Sequence, residues 1–395
     1  MTAERDLDLV LFGATGFTGS LTASYLAEAV SSDDGPRGLR WGLAGRDLTK
    51  LREMRDGLVE RWGEALESVE LLRADVTDQA SLDAVAARTR VVITTVGPYL
   101  AYGEPVVRAC AEAGTDYVDL TGEPEFVDRM YVRYHEVAQR TGARIVHACG
   151  FDSIPHDLGA LFAVRQLDAN GPVTVRGVVR ASGMLSGGTF HSALGQFSRA
   201  KQMRSAAAER KRVEPRPEGR RSRAVAGRPT RDAELGYWLV PLPTIDPSIV
   251  ARSGRALADY GPDFSYSHYA GTKTLRYAVG GAAGLLGLVA AAQIGPLRRW
   301  LGAKVPQGEG PDEARRATSW FRVDFIAEGD GRRVHTRVSG GDPGYTETAK
   351  MLAEAGLCLS LDDNPPSAGS VTTGVAMGAA LTERLQRVGI RFEVL

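Results

Sequence analysis

The sequence is poor in cysteine and has no excess of charge of either sign. Only three of its 395 residues are cysteine, at positions 110, 149 and 358, and their wide spacing matches neither a zinc site nor a disulfide framework. Each lies in an apolar run, so we expect three small buried side chains in a reducing cytoplasm, and no bound metal. Basic and acidic residues both number 48, a balance that implies no highly charged partner for the chain as a whole.

The chain also lacks a hydrophobic run long enough to span a membrane. Residues 278–292 are fifteen alanines, glycines, valines and leucines, whereas a spanning helix needs about 20 apolar residues. We expect a helix with an apolar surface, and three settings stay open: burial in the protein, a homodimer contact, or peripheral contact with a membrane. The N-terminus, with Glu4, Asp6 and Asp8, is unlike a signal peptide. We therefore expect a cytoplasmic protein, with membrane association left open.

What the chain does have is a glycine-rich turn directly after its first apolar run. Residues 9–12 lead into Gly13, Gly16 and Gly19, and an amphipathic stretch follows. A buried strand, a tight turn and a helix in this order are typical of a dinucleotide-binding unit of the Rossmann type. The spacing is G-x-x-G-x-x-G rather than the strict G-x-G-x-x-G, so a glycine-rich turn without a ligand is the alternative. The predicted cofactor contacts of this turn are Gly13, Thr15, Gly16, Phe17 and Thr18.

Strand and helix patterns then alternate regularly as far as about residue 150. Apolar strand candidates lie at 8–12, 40–44, 69–73, 91–96, 116–120 and 144–148. Helical patterns lie between them at 17–29, 47–61, 79–88, 104–113 and 125–141. Six strands joined by helical crossovers predict an α/β domain with a doubly wound parallel sheet.

The end of the second predicted strand indicates which cofactor is bound. NAD-binding sheets usually place an acid there to hold the ribose 2′-hydroxyl, whereas this chain has Arg46, with Lys50 one helical turn further on. A guanidinium suits a 2′-phosphate, so we predict NADP(H), with Asp47 as the N-cap of the next helix. Ligands of such sheets lie beyond the carboxyl ends of the strands. The predicted cofactor contacts at the ends of the third and fourth strands are therefore Asp75, Val76, Gly97 and Pro98.

A second domain is predicted over residues 151–340, and residues 341–395 are expected to return to the first domain. Alternating patterns at 173–181, 318–327 and 334–339 predict an α+β domain with a mixed sheet, and Gly329-Asp330-Gly331 is typical of a hairpin turn. We expect hydride transfer in the crevice between the two domains. The candidates for a catalytic proton donor are Tyr99, Asp152 and His191, although water alone can protonate the product of a double-bond reduction.

A basic insertion interrupts the second domain at residues 199–231. It holds twelve lysines and arginines against three glutamates, with prolines at 215, 217 and 229. It is either a solvated, mobile loop or a flap that recognises the phosphate of an acyl carrier protein or coenzyme A. Because no aromatic residues alternate with the charges, the pattern argues against nucleic acid.

Taken together, these motifs resemble the saccharopine dehydrogenase-like oxidoreductases, and most of all the trans-acting enoyl reductases that serve polyketide synthases. The resemblance covers residues 8–200 and 318–395. It implies reduction of a carbon–carbon double bond in a hydrophobic or carrier-bound acyl substrate. A saccharopine-type dehydrogenase of imines or amino acids, and a non-catalytic NADP-binding scaffold at a membrane or lipid surface, stay open as alternatives. The motifs that carry the resemblance lie at 13–19, 43–46, 96–99, 117–123, 150–159, 374–385 and 389–394.

Overall fold

The chain forms two compact units. The computed structural model describes residues 5–33, 35–182, 194–196, 198–304 and 311–395. The first unit contains residues 1–121, 126–150 and 345–384, and the second contains residues 122–125, 151–344 and 385–395.

A seven-stranded parallel sheet forms the core of the first unit. Its strands are β1 (Leu7–Phe12), β2 (Trp41–Gly45), β3 (Glu70–Arg73), β4 (Thr89–Thr94), β5 (Asp116–Asp119), β6 (Arg144–Val146) and β14 (Gly369–Val371). The strand order is β14-β6-β5-β4-β1-β2-β3. The chain therefore reverses direction across the sheet between β1 and β4, where doubly wound folds bind their ligands. This sheet confirms the predicted Rossmann-type fold, and the C-terminal part of the chain adds a seventh strand to the six expected.

The crossovers of the first sheet are helices. They are α1 (Phe17–Ser31), α2 (Leu48–Trp62), α3 (Gln79–Arg88), α4 (Tyr99–Tyr102), α5 (Glu104–Ala113) and α6 (Pro124–Thr141), followed near the C-terminus by α13 (Thr346–Leu361) and α14 (Thr373–Ala376). A 3₁₀ turn covers Glu64–Ser68. Asp47 caps α2, as predicted, because its Oδ1 accepts hydrogen bonds from the amides of Thr49 at 2.9 Å and Lys50 at 3.2 Å. The carbonyl ends of β1 and β2 are completely buried, so only the turns after them reach solvent.

A mixed sheet of eight strands forms the core of the second unit, again as predicted. Its strands are β7 (Val173–Ser182), β8 (Arg221–Ala224), β9 (Thr230–Asp232), β10 (Tyr237–Pro241), β11 (Asp263–Thr272), β12 (Trp320–Gly329), β13 (Arg332–Gly340) and β15 (Arg391–Val394). They follow the order β15-β13-β12-β7-β11-β10-β9, and β8 also pairs with β11. The predicted hairpin joins β12 to β13 through Asp330 and Gly331, which adopt the left-handed φ angles of 49° and 71°.

Helices of the second unit pack on this sheet or extend from it. They are α7 (Ile154–Leu167), α8 (Ala200–Val213), α9 (Asp246–Ala256), α10 (Leu275–Gln293), α11 (Gly295–Lys304) and α12 (Glu313–Ala317). One more helix, α15 (Gly378–Arg387), begins among the residues of the first unit and ends among those of the second. A 3₁₀ turn covers Ala258–Tyr260. Helix α7 packs on β7, β12 and β13, and α9 packs on β8 and β11.

The structure differs from two expectations of the sequence. Residues 199–231 are not simply a solvated loop: they contain α8, β8 and the first two residues of β9, and the side chains of Ala206 and Ser222 are buried, whereas the alternative of a phosphate-recognising flap stays a prediction. The C-terminal segment does not return as a whole to the first unit, since β15 pairs antiparallel with β13 and places Phe392 opposite Val338.

Two other expectations are confirmed. Cys110, Cys149 and Cys358 are buried, and within the described part of the chain none of them forms a disulfide. The apolar segment 278–292 is helical and lies within α10. Among the described residues, no helix is both long enough and apolar enough to cross a membrane.

Candidate functional site

Two glycines of the predicted cofactor turn are required by the fold itself. Gly13 has a φ angle of 91°, and a Cβ built on it would lie 2.8 Å from Oγ1 of Thr95. A Cβ on Gly19 would lie only 2.1 Å from the carbonyl oxygen of Gly13. Any larger residue at either position would therefore push the first turn of α1 away from β1.

Gly16 differs from these two glycines because nothing in the protein demands it. It precedes α1 with extended backbone angles (φ −79°, ψ 166°), which any residue adopts, and no side chain caps the helix there. A Cβ on Gly16 would meet only the carbonyl oxygen of Gly13, at an ordinary 3.5 Å. Thr15 and Gly16 are both exposed. Absence of a side chain at an open helix N-terminus is what close approach of a phosphate requires.

The turns after neighbouring strands present the other predicted cofactor residues. Gly97 and Pro98 are exposed after β4, which pairs with β1. The hydroxyl of Thr95 ties these two turns together by donating a 3.1 Å hydrogen bond to the carbonyl of Gly13. Phe17 is half-buried and places its ring edge-on to that of Tyr345, with centroids 5.0 Å apart. The remaining predicted contacts are Thr18 and Val76, both half-buried, and Lys50, which is exposed.

Two guanidinium groups stand at the ends of β2 and β3. Arg46 is exposed directly after β2, and Arg73 ends β3 in register with Gly45. Hydrogen bonds from the backbone and side chain of Thr77 lower the pKa of Asp75, and the positive charges of Arg46 and Arg73 lower it further. Sequence reasoning did not identify Arg73, because only the strand register shows that it neighbours the turn of Arg46.

Tyr99, one of the three proton-donor candidates, is held by backbone groups of the first unit. Its side chain is 5% exposed, and its hydroxyl donates a 3.0 Å hydrogen bond to the carbonyl of Thr94. The same hydroxyl accepts a hydrogen bond from the amide of Leu120 at 3.4 Å. This geometry favours a structural role, since the phenol fixes the turns after β4 and β5.

The acid at the end of β5 is also structural. Asp119 is fully buried, and its carboxylate accepts hydrogen bonds from the hydroxyl of Tyr117 at 2.9 Å and the amides of Thr121 and Ala148 at 3.0 and 2.9 Å. His147 lies 2.7 Å from the same carboxylate. A carboxylate with this many partners holds strand ends together.

Asp152, the second of the three proton-donor candidates, belongs to the second unit. His191 lies outside the described residues. Asp152 is half-buried, and its Oδ2 lies against Gly122, where a Cβ would approach it to 3.3 Å. Burial raises the pKa of Asp152 to about 7, with a further contribution from the negative charge of Asp246. A carboxyl group with this raised pKa retains its proton at a higher pH than an ordinary aspartate does.

A buried cluster that sequence reasoning missed surrounds Asp246. Nδ1 of His156 lies 3.2 Å from Oδ1 of Asp246, and Nε2 of His268 lies 3.6 Å from Oδ2. The hydroxyl of Tyr266 lies 3.0 Å from Nδ1 of His268. Burial lowers the pKa of both histidines, that of His268 to about 3, so both rings are neutral near pH 7. These residues come from α7, α9 and β11, and no local sequence pattern connects them.

The two aspartates therefore have opposite proton preferences. Burial disfavours ionisation of Asp246, but the nearby His156 and His268 hold its pKa below the usual range. Asp152 has no such partners among the causes of its shift and retains its proton more readily. Pairs of carboxyl groups whose environments separate their pKa values are typical of sites that perform acid–base chemistry.

Comparisons with known proteins agree with this architecture. The saccharopine dehydrogenase NADP binding domain family matches residues 9–146. A putative trans-acting enoyl reductase of Mycobacterium tuberculosis is 40% identical, over 100% of this chain and 99% of the relative. A trans-acting enoyl reductase of Mycobacterium ulcerans is 34% identical, over 98% of each chain. The apo structure of a saccharopine dehydrogenase (L-Glu forming) from Saccharomyces cerevisiae covers 98% of this chain with a TM-score of 0.53 and 12% identity, a likeness of fold alone.

The glycine turn, the sheet order and the full-length relatives lead to one assignment. The first unit is an NADP-binding domain, so the predicted cofactor NADP(H) is confirmed, and the protein is an NADP-dependent oxidoreductase. The chain belongs to the saccharopine dehydrogenase-like oxidoreductases, in the group of the trans-acting enoyl reductases.

Proposed function

We propose that the protein reduces the carbon–carbon double bond of an α,β-unsaturated acyl thioester with NADPH. The observation that carries the proposal is the full-length similarity to trans-acting enoyl reductases. It is supported by a first unit that presents an open glycine turn and two guanidinium groups along one edge of its sheet.

In this proposal the edge formed by the ends of β4, β1, β2 and β3 holds the cofactor. Thr15 and Gly16 would hold the pyrophosphate at the N-terminus of α1, where no side chain caps the helix. Arg46 and Arg73 would bind the 2′-phosphate, and Lys50 would add a third positive charge. Gly97 and Pro98 would border the nicotinamide half, because β4 neighbours β1 at the point where the strand order reverses.

The reaction needs one hydride and one proton. A bound NADPH would supply the hydride for the β-carbon of the acyl chain and would be oxidised to NADP⁺. The proton goes to the α-carbon, and we propose that Asp152 donates it directly or through water. Its raised pKa supports this role, since the group is protonated in a large fraction of molecules at neutral pH.

We propose further that the acyl group arrives on a phosphopantetheine carrier. Some cations of the basic insertion, residues 199–231, are structural. Arg220 donates a hydrogen bond to the carbonyl of Gly254 at 3.0 Å, and Arg223 forms an ion pair with Asp263 at 2.9 Å. Eight others are exposed and form no ion pair within the described part of the chain, namely Lys201, Arg204, Lys211, Arg212, Arg216, Arg221, Arg228 and Arg231. Acidic carrier proteins and coenzyme A would be attracted to such a surface.

The direct test is NADPH oxidation with matched acceptors. We expect turnover with an α,β-unsaturated acyl thioester and none with a 2-oxo acid plus an amino acid, the partners of saccharopine-type reduction. Turnover only with the second pair would replace the proposal by an imine reductase. Tight NADPH binding without turnover on either acceptor would favour the non-catalytic scaffold.

A further inference from the structure

The helical pair formed by α10 and α11 is the most apolar exposed surface of the described chain. Among the residues whose burial is described, thirteen large hydrophobic side chains are exposed, and six of them lie within the 26 residues from 275 to 300. Tyr277 is 70% exposed, Val279 60% and Trp300 56%. Isolated exposed apolar residues are ordinary, but a cluster of this kind marks a contact with something other than water.

Most of the described side chains of α10 are not buried against the rest of the second unit. Of its alanines, only Ala278 and Ala292 are buried in the described part of the helix. A Cβ built on Gly280, Gly284 or Gly287 would meet no atom within 4 Å. The helix packs on its neighbour α11 and contacts β10 and β11. Most of its length, about 28 Å for nineteen residues, therefore faces away from the unit.

The charge around the helical pair has one sign. Between Asp263 and Glu309 the chain contains no acidic residue. The same stretch contains five basic residues, all exposed: Lys273, Arg276, Arg298, Arg299 and Lys304. The chain as a whole is neutral, with 48 residues of each sign, so this segregation is local. The cations lie next to both ends of α10 and along α11, and they flank its apolar length.

The aromatic residues lie with the cations. Tyr277 follows Arg276, and Trp300 follows Arg298 and Arg299. Nζ of Lys304 lies 5.5 Å from the centre of the Trp300 ring. Tryptophan and tyrosine beside basic side chains are characteristic of segments at the boundary between lipid headgroups and acyl chains.

We propose that the helical pair docks on the surface of an anionic phospholipid bilayer. The apolar side chains enter the headgroup–acyl boundary, and the five cations contact lipid phosphates. The segment lies on the bilayer, since no described helix is long and apolar enough to cross it. Docking would hold the reductase where a hydrophobic acyl product is used or stored.

A second copy of the chain fits the same surface less well. Two identical subunits related by a twofold axis bring the same patch against itself. Five cations of one copy would then face five of the other without an acid in the segment to separate them. A bilayer of anionic lipid supplies the missing negative charge.

Sedimentation with vesicles tests the proposal on the full chain. We expect binding to vesicles of phosphatidylglycerol mixed with phosphatidylcholine, and roughly tenfold weaker binding to phosphatidylcholine alone. The double variant Tyr277→Ser/Trp300→Ser and the double variant Arg298→Gln/Arg299→Gln should each lose most of the binding. The control variant Arg52→Gln/Arg140→Gln removes two exposed, unpaired cations elsewhere and should sediment like the wild type.

Three further measurements keep the outcome decisive. All variants replace exposed side chains, so their thermal melting and their turnover of a short soluble thioester should match the wild type. Loss of turnover in all forms would contradict the proposed enzyme activity without touching the membrane proposal. Equal sedimentation of wild type and aromatic variant, or no sedimentation at all, would overturn the docking proposal. A wild-type dimer that the aromatic variant converts to monomer would assign the surface to a second copy instead.

Discussion

The two units place their chemistry in opposite settings. In the first unit, the candidate cofactor surface consists of exposed turns and backbone, with Gly16 open to solvent and Arg46 beyond a strand end. In the second unit, the titratable groups are drawn together inside the fold, where Asp246 and His268 are 1% and 4% exposed. The first surface is suited to holding a large charged molecule, and the second cluster is suited to setting the pKa of a neighbouring carboxyl group.

This difference means that the two regions should respond differently to substitution. Changes at the exposed turns should remove binding and leave stability nearly intact, because the altered positions are exposed to solvent. Changes at the buried groups should alter pH dependence or stability and leave NADPH affinity intact.

The largest expected effect is at the glycine turn. Gly16→Val should abolish NADPH binding, because its side chain would occupy the space of the pyrophosphate. The melting temperature should stay near that of the wild type, since the Cβ has room. Gly19→Ala is the matched control: it places a Cβ 2.1 Å from the carbonyl oxygen of Gly13 and should lower the melting temperature itself. Normal NADPH affinity in a folded Gly16→Val protein, measured by titration, would make this turn purely structural.

The next effect separates the two nicotinamide cofactors. Arg46→Ala and Arg73→Ala should each weaken NADPH binding by about 1–3 kcal/mol, the scale of a lost charge-assisted contact. NADH, which lacks the 2′-phosphate, should bind the variants and the wild type alike. Calorimetric titration with both cofactors measures the difference. Equal losses for NADPH and NADH would contradict the assignment of the 2′-phosphate to this edge.

The third prediction concerns Asp152 of the second unit and the dependence of kcat on pH. Because Asp152 acts as an acid in the proposal, kcat should fall above its pKa of about 7, by about tenfold per pH unit. Asp152→Asn should lower kcat and abolish this dependence. Tyr99→Phe, by contrast, removes a buried hydrogen bond, should cost about 0.5–1.5 kcal/mol of stability, and should leave the profile unchanged. The pH range from 7 to 9 spans about two pH units above this pKa, which is enough to detect the fall in kcat. A wild-type kcat that stays constant between pH 6 and pH 9 would exclude Asp152 as the donor.

The smallest effect concerns the exposed cations of the second unit. The triple variant Arg221→Gln/Arg228→Gln/Arg231→Gln should raise KM for a carrier-bound substrate a few-fold at low salt, and less at physiological salt, where charges are screened. KM for a short thioester should not change. Arg220→Gln serves as the contrast, since Arg220 donates hydrogen bonds to the carbonyl groups of Gly254 and Leu257 at the C-terminal end of α9, and its loss should reduce stability. Identical KM values for wild type and triple variant at low salt would contradict the proposal that these cations bind the carrier.

Sequence patterns predicted the first unit closely because its chemistry is local. Strand, turn and helix follow one another within a few residues, and β1 to β6 lie within two residues of the predicted strands at most positions. Asp47 could be identified as a cap from its place before a helix. Arg73 could not be identified as a candidate cofactor contact, because its position beside the turn of Arg46 depends on the register of β3 against β2.

The second unit was harder to predict because its chemistry depends on residues that are far apart in the sequence. His156, Asp246 and His268 are separated by long stretches of chain and meet only because α7 and α9 pack near β11. The basic segment was interpreted as a loop or flap, whereas the run around Ala206 to Ala208 is a helical signal that its charge obscured. The apolar segment 278–292 was predictable as a helix from its composition, but its exposure depends on the tertiary structure.

The most direct test of the central claim is the fate of deuterium carried by NADPH at C4. The protein would be incubated with this cofactor and an α,β-unsaturated acyl thioester in ordinary water, and the product would be examined by NMR spectroscopy. The account predicts deuterium on the β-carbon, a solvent-derived proton on the α-carbon, and no product with the Gly16→Val variant. Deuterium only on a carbon bound to nitrogen, seen when a 2-oxo acid and an amine replace the thioester, would contradict it.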